Sequence, residues 1–128
     1  MIITETKKST LTQSELNQFT GTTTYYKHFI KPYIYTDGIQ YFAEKGECYW
    51  LLDKIFSLQT IKQIKNDDAL QHLQFWRLKV NEDKSALLTC ERDLNDIAYT
   101  ETLTYTDFPL SEILLYFQNN VLHLPSEY

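Results

Sequence analysis

Asp37 and Asp53 are the acid–base candidates of this sequence. Two carboxylates brought into one site can have their proton affinities pushed apart, and then divide general-acid from general-base work. Each also has a plainer role. Asp37, next to Gly38, can cap a helix or make an Asx turn, and Asp53 can pair with a cation or a tyrosine hydroxyl. His28, His72 and His123 are the only imidazoles, and no two stand three or four positions apart, the spacing at which one helix presents two ligands to a metal. Cys48 and Cys90 lie outside any Cys-x-x-Cys or Cys/His cluster and read as two buried, reduced thiols. The sequence has no Gly-x-Ser-x-Gly elbow, phosphate-binding loop, dinucleotide fingerprint or His-Glu-x-x-His pair. No catalytic residue, metal ligand or cofactor is therefore assigned.

Aromatic residues carry the stronger signal. The 128-residue chain has 10 Tyr, 7 Phe and 2 Trp, and its first half holds Tyr25, Tyr26, Tyr33, Tyr35, Tyr41, Tyr49 and Trp50. Such a group serves as a stacking platform, a ligand pocket or the centre of a protein interface, with most of its rings in the core. Twelve Lys+Arg against seventeen Asp+Glu give a net charge of -5, and Arg77 and Arg92 are the only arginines, so nonspecific nucleic-acid binding is not expected. Lys7-Lys8, Lys27–Lys31 and Lys62–Lys65 are too short to make a basic stripe. A hydrophobic fraction of 43% with 3 Gly and 3 Pro describes a globular composition. No stretch resembles a signal peptide or a membrane span, so the expected location is cytoplasmic, with no membrane partner.

The elements that must position these residues follow from periodicity. Residues 1–10 read as a mobile arm, with Ile2 and Ile3 able to add a short edge strand, and 11–128 as one α+β domain. Thr12-x-x-Glu15 is a capping box opening a helix over 13–19. Residues 33–36 are short, aromatic and β-branched. Ile39, Phe42 and Ala43 recur at helical spacing, with Gly46 as a left-handed cap. A helix over about 47–58 buries Cys48, Leu51, Leu52, Ile55 and Phe56, placing Tyr49 with Asp53 on one flank and Trp50 with Lys54 on another. A polar connection over 59–74 holds a short helix capped by Asn66, Asp67 or Asp68. Alternation over 75–80 and 97–106, with 86–91 as the returning strand between short polar turns, predicts an antiparallel meander. Pro109 starts a last helix with Ile113, Leu114 and Phe117 inward, ended by Asn119-Asn120, and residues 121–124 form a final strand. The expected architecture is a three- to four-stranded antiparallel meander with helices packed on one face.

Several segments resemble an uncharacterised domain-of-unknown-function family of small bacterial, notably cyanobacterial, proteins often carried on plasmids and other mobile elements. They are Asn17-Gln18-Phe19-Thr20-Gly21, Tyr35-Thr36-Asp37-Gly38, Tyr49-Trp50-Leu51-Leu52-Asp53, Phe75-Trp76-Arg77-Leu78, Asp107-Phe108-Pro109-Leu110 and Leu124-Pro125-Ser126-Glu127. The resemblance spans about residues 11–128. It implies no activity or cofactor, but marks the second and third segments as family features and makes engagement of a host or defence component plausible. The leading expectation is a small acidic, non-enzymatic module that binds a protein partner through Tyr25, Tyr26, Tyr35, Asp37, Tyr49, Trp50 and Asp53. The alternative is an enzyme or small-molecule binder with a pocket between helices and sheet, lined by Tyr35, Asp37, Tyr49 and Asp53. Homo-oligomerisation through an exposed sheet face or edge strand, such as 121–124, is the third.

Overall fold

The structure, a computed structural model, describes residues 11–128; the arm expected over 1–10, with Ile2 and Ile3, lies outside the described residues. The capping box forms as read. The Thr12 hydroxyl accepts from the Glu15 N–H (3.2 Å) and the Glu15 carboxylate from the Thr12 N–H (2.9 Å), opening α1 (Gln13–Leu16). This helix is shorter than expected, and Phe19 beyond it packs on Tyr41. Two short strands follow, β1 (Tyr25–Lys27) and β2 (Ile34–Thr36), and then α2 (Asp37–Lys45) and α3 (Tyr49–Ser57). Gly46 ends α2 in a right-handed conformation, and the left-handed residue is Glu47 (φ 52°). Gly46 is needed for room instead, because a Cβ there would stand 2.9 Å from the Phe42 carbonyl oxygen.

The helix expected after a cap within 66–68 is a hydrogen-bonded turn, and a one-turn helix, α4 (Lys62–Lys65), precedes it. Asp67 accepts from the Leu70 N–H at 3.1 Å in that turn. The meander is present as β3 (Gln74–Val80), β4 (Ala86–Asp93) and β5 (Asp96–Leu103). Its strict alternation is the reason: Trp76 and Leu78 are buried on one face while Arg77 and Lys79 point to the other.

The predicted last helix is instead β6 (Glu112–Gln118), paired with β3 and, through a hairpin, with β7 (Val121–His123). Ile113 and Phe117 stand four positions apart, a spacing that fits both periods, but Ile113, Leu115 and Phe117 are all buried, which is period two. Asn119 and Asn120 do adopt positive φ (54° and 67°), as the two central residues of a tight hairpin turn rather than a helix cap.

The sheet therefore has seven strands in the order β1-β2-β7-β6-β3-β4-β5, more than the three or four expected. It is mixed rather than wholly antiparallel, since β2 and β7 pair in parallel through Ile34 and Val121. The α+β class holds. Ile39, Phe42, Leu51, Leu52, Ile55 and Phe56 of α2 and α3 join Trp76, Leu78, Leu88, Ile113, Leu115 and Leu122 of the sheet in one hydrophobic cluster. The sheet face bearing Arg77 and Lys79 carries ion pairs instead.

Candidate functional site

The Tyr35-Thr36-Asp37-Gly38 segment joins β2 to α2, and each residue has a separate task. Tyr35 stacks on Tyr26 of the neighbouring strand, with ring centroids 5.5 Å apart. Thr36, not Asp37, is the N-cap: its hydroxyl accepts from the Ile39 N–H (3.2 Å) and donates to Glu127 (2.6 Å). Asp37 ties down the preceding loop, accepting from the Thr23 N–H (3.2 Å) while its own N–H donates to the Thr22 hydroxyl (3.0 Å). Burial works to raise the Asp37 pKa, but hydrogen bonds from Thr23, Thr22, Thr24 and Tyr26 hold it below the usual carboxylate range. Gly38 has no space for a side chain, since a Cβ would lie 2.7 Å from both Glu127 Oε1 and Leu124 Cδ1. Glu127 cannot swing away freely. It also accepts from the N–H groups of Gly38 (3.1 Å) and Leu124 (2.9 Å), so the C-terminal turn is latched onto the start of α2.

Tyr49 and Asp53 stand one turn apart on α3. The Tyr49 hydroxyl donates to Glu44 Oε1 (3.1 Å). Burial raises the Tyr35 pKa, and the nearby Tyr26, Asp53 and Glu44 raise it further. Five of the seven expected site residues, Tyr26, Tyr35, Asp37, Tyr49 and Asp53, thus gather with Glu44 around β1, β2 and the facing flanks of α2 and α3. The other two fall elsewhere. Tyr25 points to the opposite face of β1 and is 56% exposed. Trp50 lies on the other flank of α3, where with Leu103, Tyr105, Thr106 and Asp107 it lines a hollow of about 320 Å³.

His28, which no sequence spacing connects to this group, completes it. Its Nδ1 accepts from the Ile30 N–H (3.0 Å), which leaves Nε2–H to donate to Asp53 Oδ1 at 2.6 Å. Both ring nitrogens are therefore committed, and the buried imidazole, stacked on Phe29 and edge-on to Phe56, holds Asp53 in place. Asp37 and Asp53 each have partners of their own, Asp37 in the Thr22–Thr23 loop and Asp53 in His28. Among the described residues no Lys or Arg forms an ion pair with Asp37, Glu44 or Asp53, and no group of three His, Cys, Asp or Glu side chains is placed to hold a metal.

Both cysteines are free and buried. Burial, with Asp107 near Cys48 and Asp67 and Glu91 near Cys90, pushes each thiol up to about 12. Neither should react with iodoacetamide at pH 8 in the native state, whereas both should label in concentrated urea. Mass spectrometry counts the adducts, and native labelling at either position would contradict the burial.

A second constellation, from three different strands, lies on the sheet face away from the core. Arg77 Nε donates to Glu91 (3.0 Å) and Nη1 to Glu112 (2.6 Å), while Glu91 also accepts from the Thr89 hydroxyl (2.8 Å) and the Asn95 N–H (3.0 Å). Around it Lys79, Leu87, Leu94 and Ile97 help to line a hollow of about 480 Å³.

A family model described as a family of unknown function, DUF6876, matches residues 10–128. No curated protein and no solved structure matches the chain. No helix among the described residues is long and apolar enough to cross a membrane.

Proposed function

The chain belongs to the family of unknown function DUF6876, and from that premise we propose that it is a non-enzymatic interaction module whose tyrosine–carboxylate face docks a cationic segment of a protein partner. One observation carries this reading: the rings of Tyr26, Tyr35 and Tyr49 and the carboxylates of Asp37, Glu44 and Asp53 share one surface, on which no described Lys or Arg forms an ion pair with the three acids. Fixed carboxylates attract Lys and Arg, and fixed tyrosine rings add apolar contact and cation–π attraction at little cost in side-chain entropy. The commitment of both His28 nitrogens and of both aspartates favours this over acid–base catalysis. Two buried free thiols suit a reducing, cytoplasmic setting. In the mobile-element context that the sequence resemblance implies, the partner would be a host or defence component.

The test is zero-length carboxylate–amine cross-linking of the full chain in host extract, followed by binding measurements with the purified partner. Cross-links should concentrate on Asp37 and Glu44. Glu44→Lys and Tyr49→Ala should each weaken binding by about tenfold or more, the scale of an interface hot spot. Cross-links mapping to other surfaces, or unchanged affinity in both variants, would sink the reading.

A further inference from the structure

We infer that the hollow beside the loop between β1 and β2 is a binding site for a small organic carboxylate with an apolar or aromatic body. Lys27, His28, Lys31, Pro32, Tyr33 and Ile34 line this hollow of about 260 Å³. Sites for drug-sized ligands run to about 300–1,000 Å³, so the occupant is a smaller molecule. The walls are fixed before anything binds. The loop closes on itself, the His28 N–H donating to the Tyr33 carbonyl (3.0 Å) and the Tyr33 N–H to the Ile30 carbonyl (3.3 Å). The His28 ring is pinned by the Ile30 N–H and by Asp53, and the Tyr33 ring stacks on Phe56 with centroids 5.2 Å apart. Binding in such a preformed recess costs little ordering of the chain.

Charge decides the head group. Lys27 and Lys31 are exposed and, among the described residues, form no ion pair. No carboxylate lines the hollow. Among the described residues the acid in hydrogen-bond contact with a lining side chain is Asp53, whose Oδ1 already receives the His28 Nε2–H. The hollows around Arg77 and around Lys84 also hold cations, but Glu91 and Glu112 stand in the first and Glu82 in the second. A chain of net charge -5 repels anions over most of its surface, so a recess with two ammonium groups and no acid is where one is held. The backbone separates carboxylate from phosphate. His28, Ile30 and Tyr33 spend their N–H groups inside the loop and Pro32 has none, so no run of successive N–H groups is left to cradle a phosphate. Two compact ammonium charges match the two oxygens of a carboxylate instead. Pro32, Tyr33, Ile34 and the His28 ring supply apolar contact for the rest of the molecule. Phe29, at 76% the most exposed large apolar side chain among the described residues, stacks on the His28 ring (4.3 Å) and sets an uncovered ring next to this lining.

Sodium benzoate titrated into the isotope-labelled full chain should shift the backbone amides of residues 27–34, with a dissociation constant on the order of 1 mM. Benzamide, which keeps the ring without the charge, and acetate, which keeps the charge without the ring, should each bind about tenfold more weakly or worse. Phenyl phosphate should bind no more tightly than benzoate. Lys27→Gln combined with Lys31→Gln should raise the benzoate dissociation constant about tenfold or more, whereas Lys62→Gln combined with Lys65→Gln on α4 should leave it unchanged. Should the first pair fail to fold, NOEs in the wild type decide the matter, with contacts expected from the benzoate ring to the side chains of Pro32, Tyr33 and Ile34. No saturable shift, shifts centred elsewhere in the chain, equal affinity for benzoate and benzamide, tighter binding of phenyl phosphate, or an affinity indifferent to the Lys27 and Lys31 changes would overturn the inference.

Discussion

Trp76→Ala is expected to lower the stability of the fold by about 3–5 kcal/mol, the range for removing a fully buried large aromatic side chain. A domain holds only about 5–15 kcal/mol in all, so the variant should stand close to spontaneous unfolding. Trp76 lies on β3 with β4 on one side and β6 on the other, opposite Cys90 and Leu115, and is 1% exposed. Its indole N–H donates to Gln74 Oε1 at 2.7 Å. Gln74 is itself buried and exchanges two amide hydrogen bonds with Gln59 (2.9 and 2.8 Å), while its Nε2 also donates to the Leu70 carbonyl (3.1 Å). Losing the indole opens a cavity at the centre of the sheet and takes one donor from a buried amide network that ties β3 to the connection after α3. Trp76→Phe keeps a ring in place and gives up mainly the N–H and part of the volume, so about 1–3 kcal/mol is expected. Urea unfolding followed by far-UV circular dichroism measures both. A loss under 1 kcal/mol for Trp76→Ala would mean that the neighbouring side chains collapse into the space.

The same strand shows which parts of the fold were legible in the sequence. β3 alternates without ambiguity, and the Thr12–Glu15 box and the Leu51, Leu52, Ile55, Phe56 stripe each admit one reading. β6 misled because Ile113 and Phe117 satisfy a helix and a strand alike, and Pro109 supplied a false helix start. β1, β2 and β7 are three residues each, too short to show a period, and the parallel pairing of Ile34 with Val121 joins distant parts of the chain that no local pattern connects. The candidate site follows the same physics. Tyr26, Tyr35, Asp37, Tyr49 and Asp53 lie on consecutive elements that pack as neighbours, so proximity in sequence served as a guide to proximity in space. Tyr25 and Trp50 failed that guide for geometric reasons: adjacent residues on a strand face opposite ways, and adjacent residues on a helix are about 100° apart around its axis. His28 with Asp53, and Arg77 with Glu91 and Glu112, form only when the tertiary structure does.

Arg77→Ala should be as damaging as Trp76→Ala, and its pH dependence separates an electrostatic cause from a packing one. Glu91 is 2% exposed. Burial works to raise its pKa, but the Arg77 guanidinium, the Asn95 N–H and the Thr89 hydroxyl outweigh that and hold it below the usual carboxylate range. A carboxylate with a depressed folded-state pKa contributes stability that is fully present above its unfolded pKa, about 4.3, and is lost as pH falls through the folded value. Removing Arg77 takes away the principal opposing charge, and desolvation then dominates. The Glu91 pKa should rise above the unfolded value, so in the variant its ionisation opposes folding at neutral pH and protonation relieves it. The expected loss at pH 7 is about 3–5 kcal/mol, the cost of breaking a buried ion pair from one side. That loss should shrink as the pH is lowered toward about 4, where Glu91 takes up its proton in the variant while the wild type begins to lose its advantage. Replacing Arg77 and Glu91 together by leucine should cost less than Arg77→Ala alone, since no buried charge is left unpaired. Urea unfolding at the two pH values measures all three proteins. An Arg77→Ala loss that is the same at both would assign the role of Arg77 to packing of its aliphatic stem across the sheet.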